Sequence, residues 1–251
     1  MRSLEPAHAE LFATFADDPS SGGLPEALRG DRTQLTAADL EGWCRAHPAW
    51  PDEAAPYKHL LPRILQLIAE GVPLTAQGLT WKRQESALVT AGYLGWPSDE
   101  ARALQRYARA LWQALLEGDL QAWDAADILR LVSRLVPEET ADLLGPLSVR
   151  EHARVRRALV AELHLVEGQL DGWGGQGGSR RRALEAAFRA GMISATDFAS
   201  RAGHPAEEAV RVWFCDPWRG VELSKDLASA RGADQSTYRR RLQRWKRSIQ
   251  G

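Results

Sequence analysis

The sequence predicts an all-α fold, a multi-helix bundle or irregular helical solenoid ending in a basic helical C-terminal part, and three observations carry that expectation. Of 251 residues, 39 are Ala and 33 Leu against 11 Val and 5 Ile, a composition rich in helix formers and poor in the β-branched residues that strands favour. Apolar residues recur at helical spacing. Capping residues and glycines fall where such helices would begin and end. Together these argue against a sheet-built catalytic fold.

Taken in order, a short first helix precedes Asp17 to Gly30, a stretch rich in Ser, Gly, Pro and Asp that reads as a surface loop. Thr36-Ala37-Ala38-Asp39 has the spacing of a capping box, which starts the next helix. Farther on, Pro97-Ser98-Asp99-Glu100 precedes a helix in which Leu104, Ala108, Leu111 and Leu115, flanked by Tyr107 and Trp112, recur at i, i+4, i+7 and i+11. That spacing lays them on one stripe, which buries against neighbouring helices. Ser148-Val149-Arg150-Glu151 is a second box-like start. Gly71, Gly118 and Gly145-Pro146 punctuate about six or seven helices, because glycine tolerates the left-handed helix end and proline cannot extend a helix.

The clearest boundary is residues 172–178, with five glycines in seven positions, which divides the chain into an acidic helical body (1–171), a Gly-rich loop or linker (172–178) and a basic C-terminal part (179–251). The body holds 17 basic and 25 acidic residues, a net of −8, and the C-terminal part 15 basic and 8 acidic, a net of +7. A total of 32 Lys and Arg against 33 Asp and Glu therefore conceals two opposite halves.

Chemistry finds little support. Gly172, Gly174 and Gly177 satisfy G-x-G-x-x-G, yet a dinucleotide cradle needs a strand before the glycines, and here an Ala/Leu-rich helix precedes them. Cys44 and His47 lie one helical turn apart with His59 nearby, but a fourth zinc ligand and paired spacings are missing, so caps and core hydrogen bonds are the simpler reading. Cys44 and Cys215 are each alone and read as small buried side chains. No Ser, His and acid arrangement has a recognisable spacing. The expectation is a chain that is not an enzyme and needs no cofactor or metal. The ten Trp, several beside prolines, read as core rather than as a ligand cage. No run approaches the ~20 apolar residues of a membrane span, and Met1 to Glu5 lead into polar sequence, so a cytoplasmic protein with no membrane partner is expected.

The informative segment is basic. Leu227 to Leu242 resembles the helix-turn-helix of bacterial DNA-binding domains: Ala228 stands at the small position between helices, Gly232 at the turn, and Asp234 at the cap of the second helix. Tyr238, Leu242, Trp245 and Ile249 then form the buried stripe. Gln235, Ser236, Thr237, Arg239, Arg240 and Arg241 would face outward as a recognition surface, with Arg244, Lys246 and Arg247 set for phosphates. Arg231 departs from the pattern, which prefers an apolar side chain there. A weaker repeat of the spacing runs from Phe198-Ala199 through Gly203 and Pro205 to Val212. The functional expectation is nucleic-acid binding, to duplex DNA, by the Arg-rich helices; the alternative is a helical scaffold whose body binds another protein.

His59-Leu60-Leu61-Pro62-Arg63-Ile64-Leu65-Gln66-Leu67, followed by Ala110 to Leu116 and by Trp213 to Pro217, resembles a group of uncharacterised bacterial all-helical proteins with a His-x-Leu-Pro-Arg-Ile-Leu core motif. The resemblance spans roughly residues 35 to 230 and implies a fold continuing past the glycine run, with no activity attached. Gln66 departs from it, an acidic residue being expected there, as does the Arg-rich tail. Chemically, Pro62 suits the first turn of a helix, His59 would cap that turn, and Arg63 would pair with an acid of the body.

Overall fold

The computed structural model describes residues 3–15, 24–46, 54–72, 80–121, 124–148, 150–156, 158–159, 213, 221, 224–225, 228, 239 and 242–243. Among these the chain is all-α, with α-helices and short 3-10 turns and no strand. It forms two compact units, Met1–Val136 and Pro137–Gly251. The glycine run lies outside the described residues.

In the first unit, α1 (Glu5–Thr14) opens on Pro6 in its first turn, where the missing amide proton costs nothing. Leu4, His8, Leu11 and Phe15 are all buried; their spacing of i, i+4, i+7 and i+11 makes one stripe, with a histidine inside it. Part of the expected surface loop is core: a 3-10 turn at Glu26–Leu28 carries inward Leu28, and Leu24 precedes it, also buried. A second 3-10 turn, Arg32–Gln34, is capped by Asp31, whose carboxylate accepts from the Thr33 amide at 2.9 Å.

The capping box before α2 (Ala37–Ala46) forms as expected. The Asp39 amide donates to Thr36 Oγ1 at 3.3 Å, and the Thr36 amide to Asp39 Oδ2 at 2.9 Å. The bonds from the Thr36 hydroxyl and amide hold the Asp39 carboxyl below its usual range. Leu40 and Trp43 fix the inner face of α2.

The third helix corrects the reading of Pro62. Rather than opening a helix, Pro62 sits inside α3 (Ala54–Ala69), so His59 is not a cap but a buried mid-helix residue. An internal proline cannot donate to the carbonyl four residues back and crowds it. Apolar burial on several sides keeps the helix running regardless: Tyr57, Leu60, Leu61, Ile64 and Leu65 are at most 1% exposed. Arg63 is corrected too: among the described residues it pairs with no acid, but donates from Nε to the Leu35 carbonyl at 2.8 Å and from Nη1 to Gln66 Oε1 at 2.9 Å. Gly71, with φ of 67°, closes the segment as expected.

Thr80 caps α4 (Trp81–Thr90) through the Arg83 amide. A 3-10 turn, Tyr93–Gly95, leads to α5 (Ser98–Glu117), which stops at left-handed Gly118. The predicted stripe of α5 is buried throughout, Tyr107 and Trp112 included. The last helix of the unit, α6 (Ala125–Leu135), buries Ile128, Leu129, Leu131, Val132 and Leu135. Helix α5 packs against both α1 and α6, α4 packs on α6, and α1 also meets α3. Polar ties join the same helices: Lys58 with Glu100 at 2.6 Å, Arg134 with Glu85 at 2.9 Å, and the Tyr93 hydroxyl on the Arg134 carbonyl at 2.6 Å.

The second unit begins with a 3-10 turn, Pro137–Glu139, and the short α7 (Thr140–Leu144). Gly145 does not take the left-handed end expected of it. With φ of −51° it continues into a 3-10 turn, Gly145–Ser148, that accommodates Pro146. Another such turn, Arg150–His152, leads into helical residues 153–156. Leu144, Leu147, Val155 and Leu159 are buried, and Arg156 donates to the Leu147 carbonyl at 2.5 Å.

Candidate nucleic-acid interface

A helix that binds phosphates needs cations on its solvent side and apolar side chains anchoring the opposite side. Of the residues named from sequence, Arg239 is described: it is helical and exposed. Gln243, one turn on, is also exposed, whereas Leu242 is half-buried. Gln235, Ser236, Thr237, Arg240, Arg241, Arg244, Lys246 and Arg247 lie outside the described residues, as do Gly232 and the segment from Phe198 to Val212.

Upstream, Val221, Ser224, Lys225 and Ala228 are helical and exposed, spaced at i, i+3, i+4 and i+7. Val221 is 41% exposed. Ala228 thus differs from its expected place, since the helix-turn-helix pattern buries the small residue between two helices.

The helical body contains polar arrangements that sequence reasoning missed. In the first, the His8 imidazole Nε2 lies 3.3 Å from the Tyr107 hydroxyl, the two rings are 5.2 Å apart, and the same hydroxyl stands 3.4 Å from the Leu65 carbonyl. This buried junction joins α1, α5 and α3. Burial pushes the histidine down to about 4 and the tyrosine up. Treating histidine as a core residue would have revealed the stripe.

In the second, the Arg32 guanidinium donates to the carbonyls of Phe15 at 2.6 Å, Phe12 at 3.0 Å and His59 at 3.2 Å, and stands over the Phe12 ring. In the third, Trp96 packs against Phe15 and Tyr57, and the Lys58 ammonium sits 4.7 Å from its ring centre. The chain's own lysine, paired with Glu100, therefore supplies the cation at this aromatic group. The Tyr57 hydroxyl donates to Gln84 Oε1 at 3.3 Å.

Among the described residues, no group of three or more His, Cys, Asp and Glu side chains is placed to hold a metal ion. Of the zinc candidates weighed from sequence, His47 and the side chain of Cys44 lie outside the described residues, as does Cys215, while His59 is buried in α3. No described helix is long and apolar enough to cross a membrane. The chain matches no protein-family model, no curated protein and no solved structure.

Proposed function

We propose that this is a non-catalytic binding protein whose Arg-rich C-terminal helices engage nucleic acid, duplex DNA first among its forms. The observation that carries the reading is exposed, helical Arg239 beside half-buried Leu242, in a segment with 15 basic and 8 acidic residues. Arg239, Arg240, Arg241, Arg244, Lys246 and Arg247 supply phosphate contacts, and Gln235, Ser236 and Thr237 reach towards base edges. Exposed Ala228 tells against a helix-turn-helix built around it, so the reading relies on the last basic helix itself.

Phosphate neutralisation releases counterions, so the affinity of the full chain for duplex DNA should fall steeply with salt. Replacing Arg239, Arg240 and Arg241 together with Ala should flatten the log–log slope by up to about 3. Absence of binding at low salt would remove the proposal. A protein-binding scaffold is the second reading, favoured by Leu94 and Val89 near the C-terminal end of α4, which are 80% and 49% exposed. Leu94→Asp leaves DNA affinity unchanged under the first reading and abolishes partner capture under the second.

A further inference from the structure

We propose that His8 makes α1 an acid-releasable helix: protonation of its imidazole frees α1 from α3 and α5 and uncovers the face of α5 that carries Tyr107, while the remaining helices of the first unit stay folded. Helix α1 is held by one stripe, Leu4, His8, Leu11 and Phe15, and the histidine falls within it at 6% exposure. A charge there would have to be desolvated within the apolar stripe that attaches the helix.

Among the described residues, the neighbours offer it no carboxylate. From α5, the group facing His8 is the Tyr107 hydroxyl, which is also within reach of the Leu65 carbonyl of α3. The acids bound at this face, Glu10 with Arg106 and Asp119 with Ser3, are exposed ties at the surface. Arg32 is a cation and holds the carbonyl end of α1, and from α3 its partner is the carbonyl of buried His59. Lys58 of α3 is engaged by Glu100. Burial alone accounts for the low proton affinity of docked His8, about 4 against 6.5 when free. Of the polar ties left to α1, Glu10 with Arg106 and Ser3 with Asp119 are exposed and weak in water, and the Arg32 bonds hold only its C-terminal end, at Phe12 and Phe15; α5 retains α6 and the Lys58 tie from α3 after the rest of α1 leaves.

Amide hydrogen exchange of the full chain, corrected for the intrinsic pH dependence of exchange, tests this. Between pH 7 and pH 5 the protection of residues 5–14 should fall about 25-fold, as follows from proton linkage, while residues 103–115 keep theirs. His8→Leu should abolish the fall. Unchanged α1 protection in the wild type, joint loss in α1 and α5, or an undiminished fall in His8→Leu would each overturn the proposal. If His8→Leu does not fold, the wild-type imidazole proton resonances decide: titration in step with α1 opening upholds the proposal, and titration near 6.5 with α1 still protected overturns it.

Discussion

At Arg32, one guanidinium serves three carbonyls from two separate segments, those of Phe12 and Phe15 on one side and His59 on the other. The planar fork spreads five donors over three nitrogens in a fixed geometry, whereas the three donors of an ammonium radiate from a single nitrogen. Arg32→Lys should therefore destabilise the chain by about 2 kcal/mol despite preserving charge, read as a lower urea midpoint with unchanged slope. Nothing local in the sequence announces this contact, because the acceptors are main-chain atoms brought together by folding. The same holds for Arg63: charge suggested an acidic partner, but the geometry supplies the Leu35 carbonyl and the Gln66 amide. His8 was missed for another reason. Hydropathy counts it as polar, whereas its spacing with Leu4, Leu11 and Phe15 places it in the core.

Among the elements, those governed by local rules were legible. The α5 stripe follows from the helical period alone, and the start of α2 from Thr36 and Asp39. Thr36→Ala removes the hydroxyl that accepts from the Asp39 amide, and a loss of about 1 kcal/mol is expected; thermal unfolding compared with Thr36→Ser, which keeps a hydroxyl, would check it. Helix α3 escaped the same logic. Proline is a start signal when only neighbours along the chain are considered, but the buried faces around Pro62 hold the helix through it. Conversely, Gly145 reads as a stop and is not one, because a 3-10 turn absorbs Pro146 without requiring a left-handed residue. Of the C-terminal charge pattern, Arg239 is exposed and Leu242 half-buried. The remaining candidate contacts fall outside the described residues.

For the molecule as a whole, buried His8 and half-buried Asp124 set opposing slopes of stability with pH. His8 binds its proton less readily folded, at about 4 against 6.5, so its contribution is present above pH 6.5 and is lost as pH falls towards 4. Asp124, beside α6, is raised to about 6 by burial and secondarily by Asp127. It binds its proton more readily folded, so its contribution is present at low pH and is lost as pH rises through 6. Asp124→Asn should thus gain stability at pH 7 by about 1 kcal/mol, a figure discounted for partial solvent screening. That gain should shrink towards pH 4, and urea midpoints of both proteins at pH 7 and pH 5 would read it. The Arg32 contact also bears on the order of events in folding. A side chain that needs the end of α1 and the middle of α3 contributes nothing until both have arrived. Such late-formed bonds govern the lifetime of the assembled state and leave the speed of assembly almost untouched. The C-terminal end of α1 is thereby secured only when α3 is in place.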